Sequence, residues 1–439
     1  MGNRFCRLLL FLFIAILLSI IGSEVSADIN IQVTQNSLGK VNRKIFGGAY
    51  FDLRGHQAEW SEMGMTTCRE GGPGMESADA LEPEPGVWKW EQYDHWLDWL
   101  KKNKTTGIVL LGGSPPWMMK GGTKVPADWE YFYAKWAEYA AEVVRHTNIE
   151  RKQGIKYWEI WNEPDAHFWF GADWGGDPPH YSALFNAAAK AMKAVDPSIM
   201  VGSGGIADPY GGSLKSWWEP CLRDFGINKN IDFVCLHGYY GGIENNCWIK
   251  ALDLARSLMD QHIGRRIPIW VTEFNADYRD QFVSLGVPYN KQALQVAQTL
   301  GLFASENIDA AQYFCVGWFG SDFCPWDQPE GGKARPVVGA YKFWKDFNGT
   351  RLMVKTSGAA RYTSVASRKG TSTVVYFPVN NPGKYTVELT GMKYPNIKAE
   401  AFYGDTTKPV EVNIQSGSVI LNWQTSEQAL IKITANAQM

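Results

Sequence analysis

Long apolar runs are nearly missing from this sequence. After the uncharged stretch from Leu8 to Ile21, no second segment approaches the roughly 20 consecutive apolar residues that a bilayer-spanning helix needs. Surplus charge is missing too: 43 basic residues stand against 45 acidic ones, for a formal net charge of −2. Without a basic excess or a Lys/Arg cluster the chain lacks the field that nucleic acid or an anionic membrane surface would demand, so neither is expected as a partner. Histidine is scarce, at seven residues, and no H-E-x-x-H or paired ligand spacing occurs, so no metal and no other cofactor is expected. There is no C-x-x-C pair and no G-x-G-x-x-G after the first strand-like segment, and the latter disfavours a dinucleotide-binding fold.

What is present begins with a leader pattern. Arg4 and Arg7 precede the apolar run, and Val25-Ser26-Ala27 offers small residues for cleavage before Asp28. Residues 1–27 therefore read as a cleaved secretory signal, which would place the mature chain outside the cytoplasm, secreted or periplasmic, with no membrane attachment. A retained anchor is the alternative, against which the run is short. Cleavage would take away Cys6 and leave Cys68, Cys221, Cys235, Cys247, Cys315 and Cys324. Cys68, Cys235 and Cys315 sit in apolar strand-like runs and read as buried free thiols. The spacing also allows a Cys315–Cys324 bridge across a loop.

From about residue 45 to 348, short β-rich runs alternate with longer amphipathic stretches, the signature of βα units and a parallel sheet. Eight strands are predicted: Phe46 to Phe51, Thr66 to Gly71, Gly107 to Gly112, Lys156 to Trp161, Ile199 to Gly204, Phe233 to Gly238, Ile269 to Phe274 and Ala311 to Trp318. Helical periodicity separates them over Glu91 to Lys102, Trp129 to His146, Tyr181 to Val195, Trp248 to Ile263, Asn290 to Ser305 and Val338 to Phe347. Eight such units match an α/β fold of the (β/α)8 TIM-barrel type over residues 45–348. From residue 349 to 439 strands alternate without helices, which predicts a small antiparallel all-β sandwich. Its strands are expected at Tyr362 to Ala366, Ser372 to Pro378, Lys384 to Leu389, Ala399 to Tyr403, Val410 to Ile414, Val419 to Leu421 and Ala429 to Ile433. Residues 28–44 contain one more strand, Ile29 to Thr34, placed to pair with that sandwich.

In a βα barrel the chemistry sits at the C-terminal ends of the strands. Two glutamates occupy that place. Tyr157-Trp158-Glu159-Ile160-Trp161-Asn162-Glu163-Pro164 closes the fourth predicted strand at a proline that cannot continue it, and Ile269-Trp270-Val271-Thr272-Glu273-Phe274-Asn275 closes the seventh. Strands four and seven can set two carboxylates across one cleft, as glycosidic cleavage requires: one protonates the departing oxygen while the other attacks the anomeric carbon or activates water. Their environments must differ. Glu163 is expected to be held protonated by nearby negative charge and partial burial, and Glu273 to be kept ionised by donors such as Arg69 and Tyr239. Twenty tryptophans supply indole faces suited to sugar rings, although most must serve the core.

The W-N-E-P and T-E-F-N endings in this topology resemble clan A, the large clan of (β/α)8 retaining glycoside hydrolases. The resemblance implies that Glu163 is the acid/base, that Glu273 is the nucleophile, and that Asn162 binds the 2-hydroxyl of the sugar beside the cleaved bond. It further implies that Arg69 orients the nucleophile, that His237 and Tyr239 stand near it, that Trp318 stacks on the sugar, and that Trp117 lines the cleft. Each of these last has a plainer alternative as an ion pair or as packing. Glu163-Pro164-Asp165 through Phe168-Trp169, then Ala194-Val195-Asp196-Pro197 and Val201-Gly202, is similar to glycoside hydrolase family 39, the β-xylosidase and α-L-iduronidase family. Ser114-Pro115-Pro116-Trp117 resembles families 30 and 79, and Ile45-Phe46-Gly47-Gly48 resembles the arabinofuranosidases of family 51.

These readings converge on a secreted retaining glycosidase working by double displacement on plant, algal or microbial glycans, with a β-xyloside or related pentoside preferred. The partner is then an oligosaccharide or polysaccharide substrate, and the two carboxyl groups should lie about 5 to 5.5 Å apart. Two alternatives stand beside it. One is an endo-acting glycanase whose aromatic loops (Trp117, Trp169, Trp174, Trp326) line an open groove. The other is a non-catalytic carbohydrate-binding barrel.

Overall fold

The computed structural model describes residues 27–50, 56–69, 78–121, 125–166, 177–210, 212–241, 243, 246–276, 287–329, 331–358, 363–391 and 394–437. The leader expected over residues 1–27, all but Ala27, lies outside the described residues, as do Trp169 and Trp174. The chain divides into two compact units. One comprises Lys40–Thr350 with Phe402–Thr407; the other comprises residues up to Gly39 with Arg351–Ala401 and Lys408–Met439.

Strand β1 (Ala27–Lys40) belongs almost wholly to the second unit, and the first begins with β2 (Gly47–Ala49). There follow β3 (Thr67–Arg69), β4 (Thr106–Leu111), β5 (Tyr157–Ile160), β6 (Met200–Ser203), β7 (Val234–Gly238), β8 (Ile269–Phe274) and β9 (Ala310–Tyr313). They are hydrogen-bonded side by side in the order β6-β5-β4-β3-β2-β9-β8-β7. Parallel bridges Gly202↔Phe233 and Ile206↔Leu236 join the two ends of that order, so the sheet is a nearly closed eight-stranded barrel. Gly202 is the only residue small enough for its place on this seam, because a Cβ there would stand 2.1 Å from the Phe233 ring.

A helix follows each strand: α1 (Gln57–Met63), α2 (Glu91–Lys102), α3 (Trp129–Val144), α4 (Pro178–Val195), α5 (Glu219–Asn228), α6 (Cys247–His262), α7 (Tyr289–Ser305) and α8 (Val337–Phe343). The sequence explains α2 well. Tyr93, Trp96, Leu97 and Leu100 recur at helical spacing and are buried, while Glu91 and Asp94 in the first turn and Lys101 and Lys102 in the last complement the helix dipole. Inside the lower barrel Ile108, Phe233, Cys235, Trp270 and Ala310 form a dry cluster, with Tyr157 and Met200 packed against it. This apolar plug puts a floor under the polar groups of the barrel mouth.

Helices α1 and α5 carry no periodic signal strong enough to read, since one is seven and the other ten residues long. The eighth barrel strand, expected to run to Trp318, stops at Tyr313, so Trp318 sits in the loop beyond it.

The second unit contains β1 with β10 (Thr350–Ser357), β11 (Val365–Lys369), β12 (Ser372–Val379), β13 (Gly383–Leu389), β14 (Asn396–Phe402), β15 (Thr407–Pro409), β16 (Asn413–Gln415), β17 (Ser418–Trp423) and β18 (Ala429–Asn436). Their order is β15-β14-β18-β12-β11-β10-β1-β13-β17-β16, with β1 parallel to β13 from Ala27↔Gly383 to Val33↔Leu389. Three strands separate β12 from β13 in that order, yet the rings of Phe377 and Tyr385 stack 6.0 Å apart. The sheet therefore doubles over into two layers, as a sandwich does. Strand β10 was not anticipated, and of the strand expected at Val410 to Ile414 only Asn413 and Ile414 lie in one, the short β16, with residues 410–412 linking it to β15.

Candidate active site

The mouth of the barrel is shaped first by backbone. Past the end of β5, Trp161 and Glu163 hold φ values of 72° and 45°, a left-handed conformation that costs non-glycine residues about 1–3 kcal/mol each. The surroundings hold this kinked segment in place. Trp161 N–H donates to the Leu111 carbonyl at 2.7 Å, and Tyr181 of α4 donates its hydroxyl to the Ile160 carbonyl at 2.8 Å. The strand has ended at Ile160, four residues before Pro164, so it is this kink that leaves Asn162 and Glu163 at the barrel mouth.

Arg69, at the end of β3, is the centre of the charge arrangement and is almost fully buried. Its Nε donates to Glu159 Oε2 at 2.6 Å and its Nη2 to Glu159 Oε1 at 3.2 Å, a two-pronged ion pair. Nη1 donates to Glu273 Oε1 at 3.0 Å, and Nη2 also reaches Asn162 Oδ1 at 2.9 Å. Fixing the carbonyl end of the Asn162 amide in this way leaves its NH2 as a free donor, with no hydrogen bond among the described residues. One guanidinium thus holds two carboxylates and the asparagine in register.

Glu159 is the residue that sequence reasoning passed over. It has no solvent exposure, and besides Arg69 it accepts from Gly205 N–H at 3.0 Å and from the Thr272 hydroxyl at 3.1 Å. A signal was there to find: an acidic residue inside a buried apolar strand must have a cation and donors to survive, and Arg69 was the available cation.

His237, at the end of β7, joins the two candidate catalytic groups. Its Nδ1 lies 2.8 Å from Glu163 Oε1 and 3.6 Å from Glu273 Oε2, and its Nε2 lies 3.2 Å from the Thr272 hydroxyl. Burial pushes the imidazole below its ordinary value, opposed by the negative charge of Glu273 and reinforced by Arg69. The Tyr239 hydroxyl donates to Glu273 Oε2 at 2.6 Å, and burial together with Glu273 pushes that phenol well above its usual range, so it stays protonated. Asp165 accepts Ala207 N–H at 3.0 Å; burial raises it first, and the charge of Glu163 adds to the effect.

One carboxylate oxygen each of Glu163 and Glu273 and one ring nitrogen of His237 all lie within 4.8 Å of one another. The arrangement offers a carboxyl group beside a buried imidazole and, opposite it, a carboxylate fixed at both oxygens.

Aromatic rings wall the Glu273 side. Trp318 packs at 6.4 Å from Tyr50 and 6.3 Å from Phe314, and Phe314 meets Tyr239 edge-on at 6.1 Å. Tyr50, at the end of the first barrel strand, was not singled out from sequence. Trp117 stands apart from this group. It lies in a helical turn, Pro116–Met119, and its indole N–H is bound to the Glu82 carbonyl at 3.0 Å. The Cys315–Cys324 bridge that the spacing allowed is not formed: both thiols are free and buried, with Cys324 Sγ 3.5 Å from the Val316 carbonyl.

Comparison with known proteins matches residues 76–300 to the model of glycosyl hydrolases family 39. The chain belongs to that family. Its relatives include a β-xylosidase of Geobacillus stearothermophilus, 28% identical over 245 residues, which are 51% of this chain and 45% of the relative. Another is an intracellular exo-α-(1→5)-L-arabinofuranosidase of Bacillus subtilis, 30% identical over 117 residues, 27% of this chain and 22% of that one. This family 39 chain thus spans less than half the length of the curated relatives it matches. Among solved structures, a family 39 β-xylosidase from Caulobacter crescentus superposes with a TM-score of 0.69 at 18% identity, covering 93% of this chain and 99% of the other. The family 39 enzyme of Xanthomonas axonopodis pv. citri gives 0.68 at 18%, covering 95% and 99%. At such identity these structures speak for the fold.

Proposed function

We propose that this protein is a retaining glycoside hydrolase that releases a pentose, a β-xyloside for preference, from glycan ends by double displacement. Glu163 would protonate the departing oxygen while Glu273 attacks the anomeric carbon, and Glu163 would then take a proton from the water that frees the sugar. The observation that carries this reading is the approach of one carboxylate oxygen of Glu163 to one of Glu273 within 4.8 Å, which fits the roughly 5–5.5 Å between carboxyl groups of retaining enzymes better than the roughly 6.5 Å or more at which inverting enzymes hold a water. The fixing of Glu273 by Arg69 and Tyr239 supports the nucleophile's part, and the free NH2 of Asn162 supports a contact to the sugar 2-hydroxyl. Family membership supports the substrate class. An α-L-arabinofuranoside is the second reading, favoured by the arabinofuranosidase relatives.

The test is hydrolysis of a panel of aryl glycosides and polysaccharides by the wild type beside Glu273→Ala, with the products sized by chromatography. Monosaccharide released first from one aryl pentoside, and lost in the variant, is expected. Products larger than monosaccharides from polymers alone would instead mark an endo-acting enzyme, and azide should rescue Glu163→Ala on an activated aryl glycoside if the reaction retains configuration. Residues 1–27 are proposed as a cleaved leader, so that the exported protein begins at Asp28, which N-terminal sequencing reads directly.

A further inference from the structure

Thr272 precedes Glu273 on β8, and its hydroxyl bonds to neither carboxyl group of the candidate catalytic pair but to the residues behind them. Its hydroxyl stands 3.1 Å from Glu159 Oε1 and 3.2 Å from His237 Nε2. Glu159, paired with Arg69, can only accept hydrogen bonds. The one hydroxyl hydrogen of Thr272 is therefore directed to Glu159, and its oxygen accepts from His237. That fixes the imidazole as the Nε2–H tautomer and leaves a lone pair on Nδ1, 2.8 Å from Glu163 Oε1. A second proton on the ring is opposed by complete burial and by Arg69. Gly205 closes the arrangement: its N–H also donates to Glu159, and a Cβ there would stand 2.1 Å from His237 Nε2, so the ring is held flat against a backbone that admits no side chain.

We propose that Thr272 is a positioning residue for proton transfer, acting through a chain Glu159, Thr272, His237, Glu163 in which every donor points toward Glu159, so that Glu163 is kept in its acid form. This rests on the glycosidase reading above. In the first step the Glu163 proton passes to the leaving oxygen as its bond to the anomeric carbon breaks and the bond to Glu273 forms. Glu163 is then a carboxylate facing an Nδ1 lone pair, a repulsion that strengthens it as a base. In the second step it takes a proton from water as the water oxygen bonds to the anomeric carbon and Glu273 departs.

The charged and titratable groups around the imidazole come from β3, β5, β7 and β8 and the residues that follow them. They are Arg69 at the end of β3, Glu159 on β5, Glu163 and Asp165 after it, Cys235 on β7, Tyr239 after it, and Glu273 on β8. Burial keeps Cys235 and Tyr239 protonated, so only the carboxyl groups and His237 change charge in the working range.

Thr272→Val removes the acceptor for Nε2–H and frees the ring to place its hydrogen on Nδ1, where it would favour the Glu163 carboxylate. The experiment is the pH profile of kcat/KM on p-nitrophenyl β-D-xylopyranoside and on an aryl xyloside with a poorer leaving group, for wild type, Thr272→Val and Thr272→Ser. Alongside it, 15N NMR of the histidine rings would be recorded, with His237 assigned by its loss in His237→Gln. In Thr272→Val the basic limb should move to lower pH by about one unit, a tenfold change in the ionisation equilibrium. The loss of rate should be larger for the poorer leaving group, and Thr272→Ser should keep the wild-type limb. Wild-type His237 should be neutral with its hydrogen on Nε2. An unmoved limb in Thr272→Val, or a wild-type hydrogen on Nδ1, overturns the proposal. The NMR result needs no turnover, so inactivity of the wild type on every aryl pentoside would count against the glycosidase reading alone.

Discussion

Tyr239 donates its hydroxyl to Oε2 of Glu273 at 2.6 Å, while Arg69 donates to Oε1 of the same carboxylate at 3.0 Å. The carboxylate is gripped at both ends, so its plane and the lone pair aimed into the cleft are set before any substrate arrives. Tyr239→Phe removes one grip and leaves the ring in place. A hydrogen bond to a charged group is worth about 1.5–3 kcal/mol, so kcat/KM should fall about tenfold to a hundredfold with little change in Tm. Steady-state kinetics beside a thermal melt would check this, and an unchanged rate would mean that Arg69 alone orients the group.

Arg69 has a different standing, because removing it leaves Glu159 buried with no cation. Arg69→Ala should lower stability by about 3–5 kcal/mol, measured by urea unfolding, and abolish activity. Glu159→Gln keeps the shape but halves the charge compensation of Arg69. It should lose activity with a smaller stability cost.

The separate fates of Arg69 and Glu159 show what could be read from residues alone. A strand that ends in a polar residue announces its mouth, and in this way Arg69, Asn162, Glu163, Tyr239 and Glu273 were legible, while His237 entered through the family resemblance; the structure gathers these six around one another. The barrel strands were legible because β-rich runs alternate with helical periods. Glu159 and Thr272 lie within strands whose burial masks them, and their meaning appears only when β3, β5, β7 and β8 are brought together. Trp318 and Trp117 failed to separate on sequence because indole packing and indole display look alike in one dimension; one lies in the aromatic wall near Glu273, and the other is tied to Glu82.

The glycine at position 205 yields a sharp steric prediction. Gly205→Ala would drive a methyl group into the His237 ring, so activity should fall at least about a hundredfold, the loss typical when reacting groups shift by an ångström. Circular dichroism should show the barrel still folded. A variant with wild-type kcat would mean that the ring can slide without consequence.

Asp309 offers a pH prediction away from the chemistry, at the start of β9. Burial raises it above its ordinary value, with Ile269 N–H and the charges of Lys44, Arg266 and Arg256 pulling the other way. A carboxyl raised in the fold contributes stability below its unfolded value, and that contribution is lost as pH rises through the folded value. Asp309→Asn can keep the bond to Ile269 without ionising. Its Tm relative to wild type should therefore climb as the pH is taken from 3 to 7, with activity unaffected. A constant difference would contradict the assignment.

The pairing of β1 with β13 bears on how the protein is made. Residues 27–33 find their partners at residues 383–389, on the far side of a barrel's worth of chain. At about 5–20 residues per second, synthesis keeps that first strand waiting for roughly 20 to 70 seconds before its neighbour exists. During that interval it presents an unpaired edge, the kind of surface that recruits the wrong partner. The barrel can form as it emerges, whereas the sandwich must wait for the last strands. Slow ribosomes and chaperone capacity should therefore affect the yield of the second unit more than that of the first.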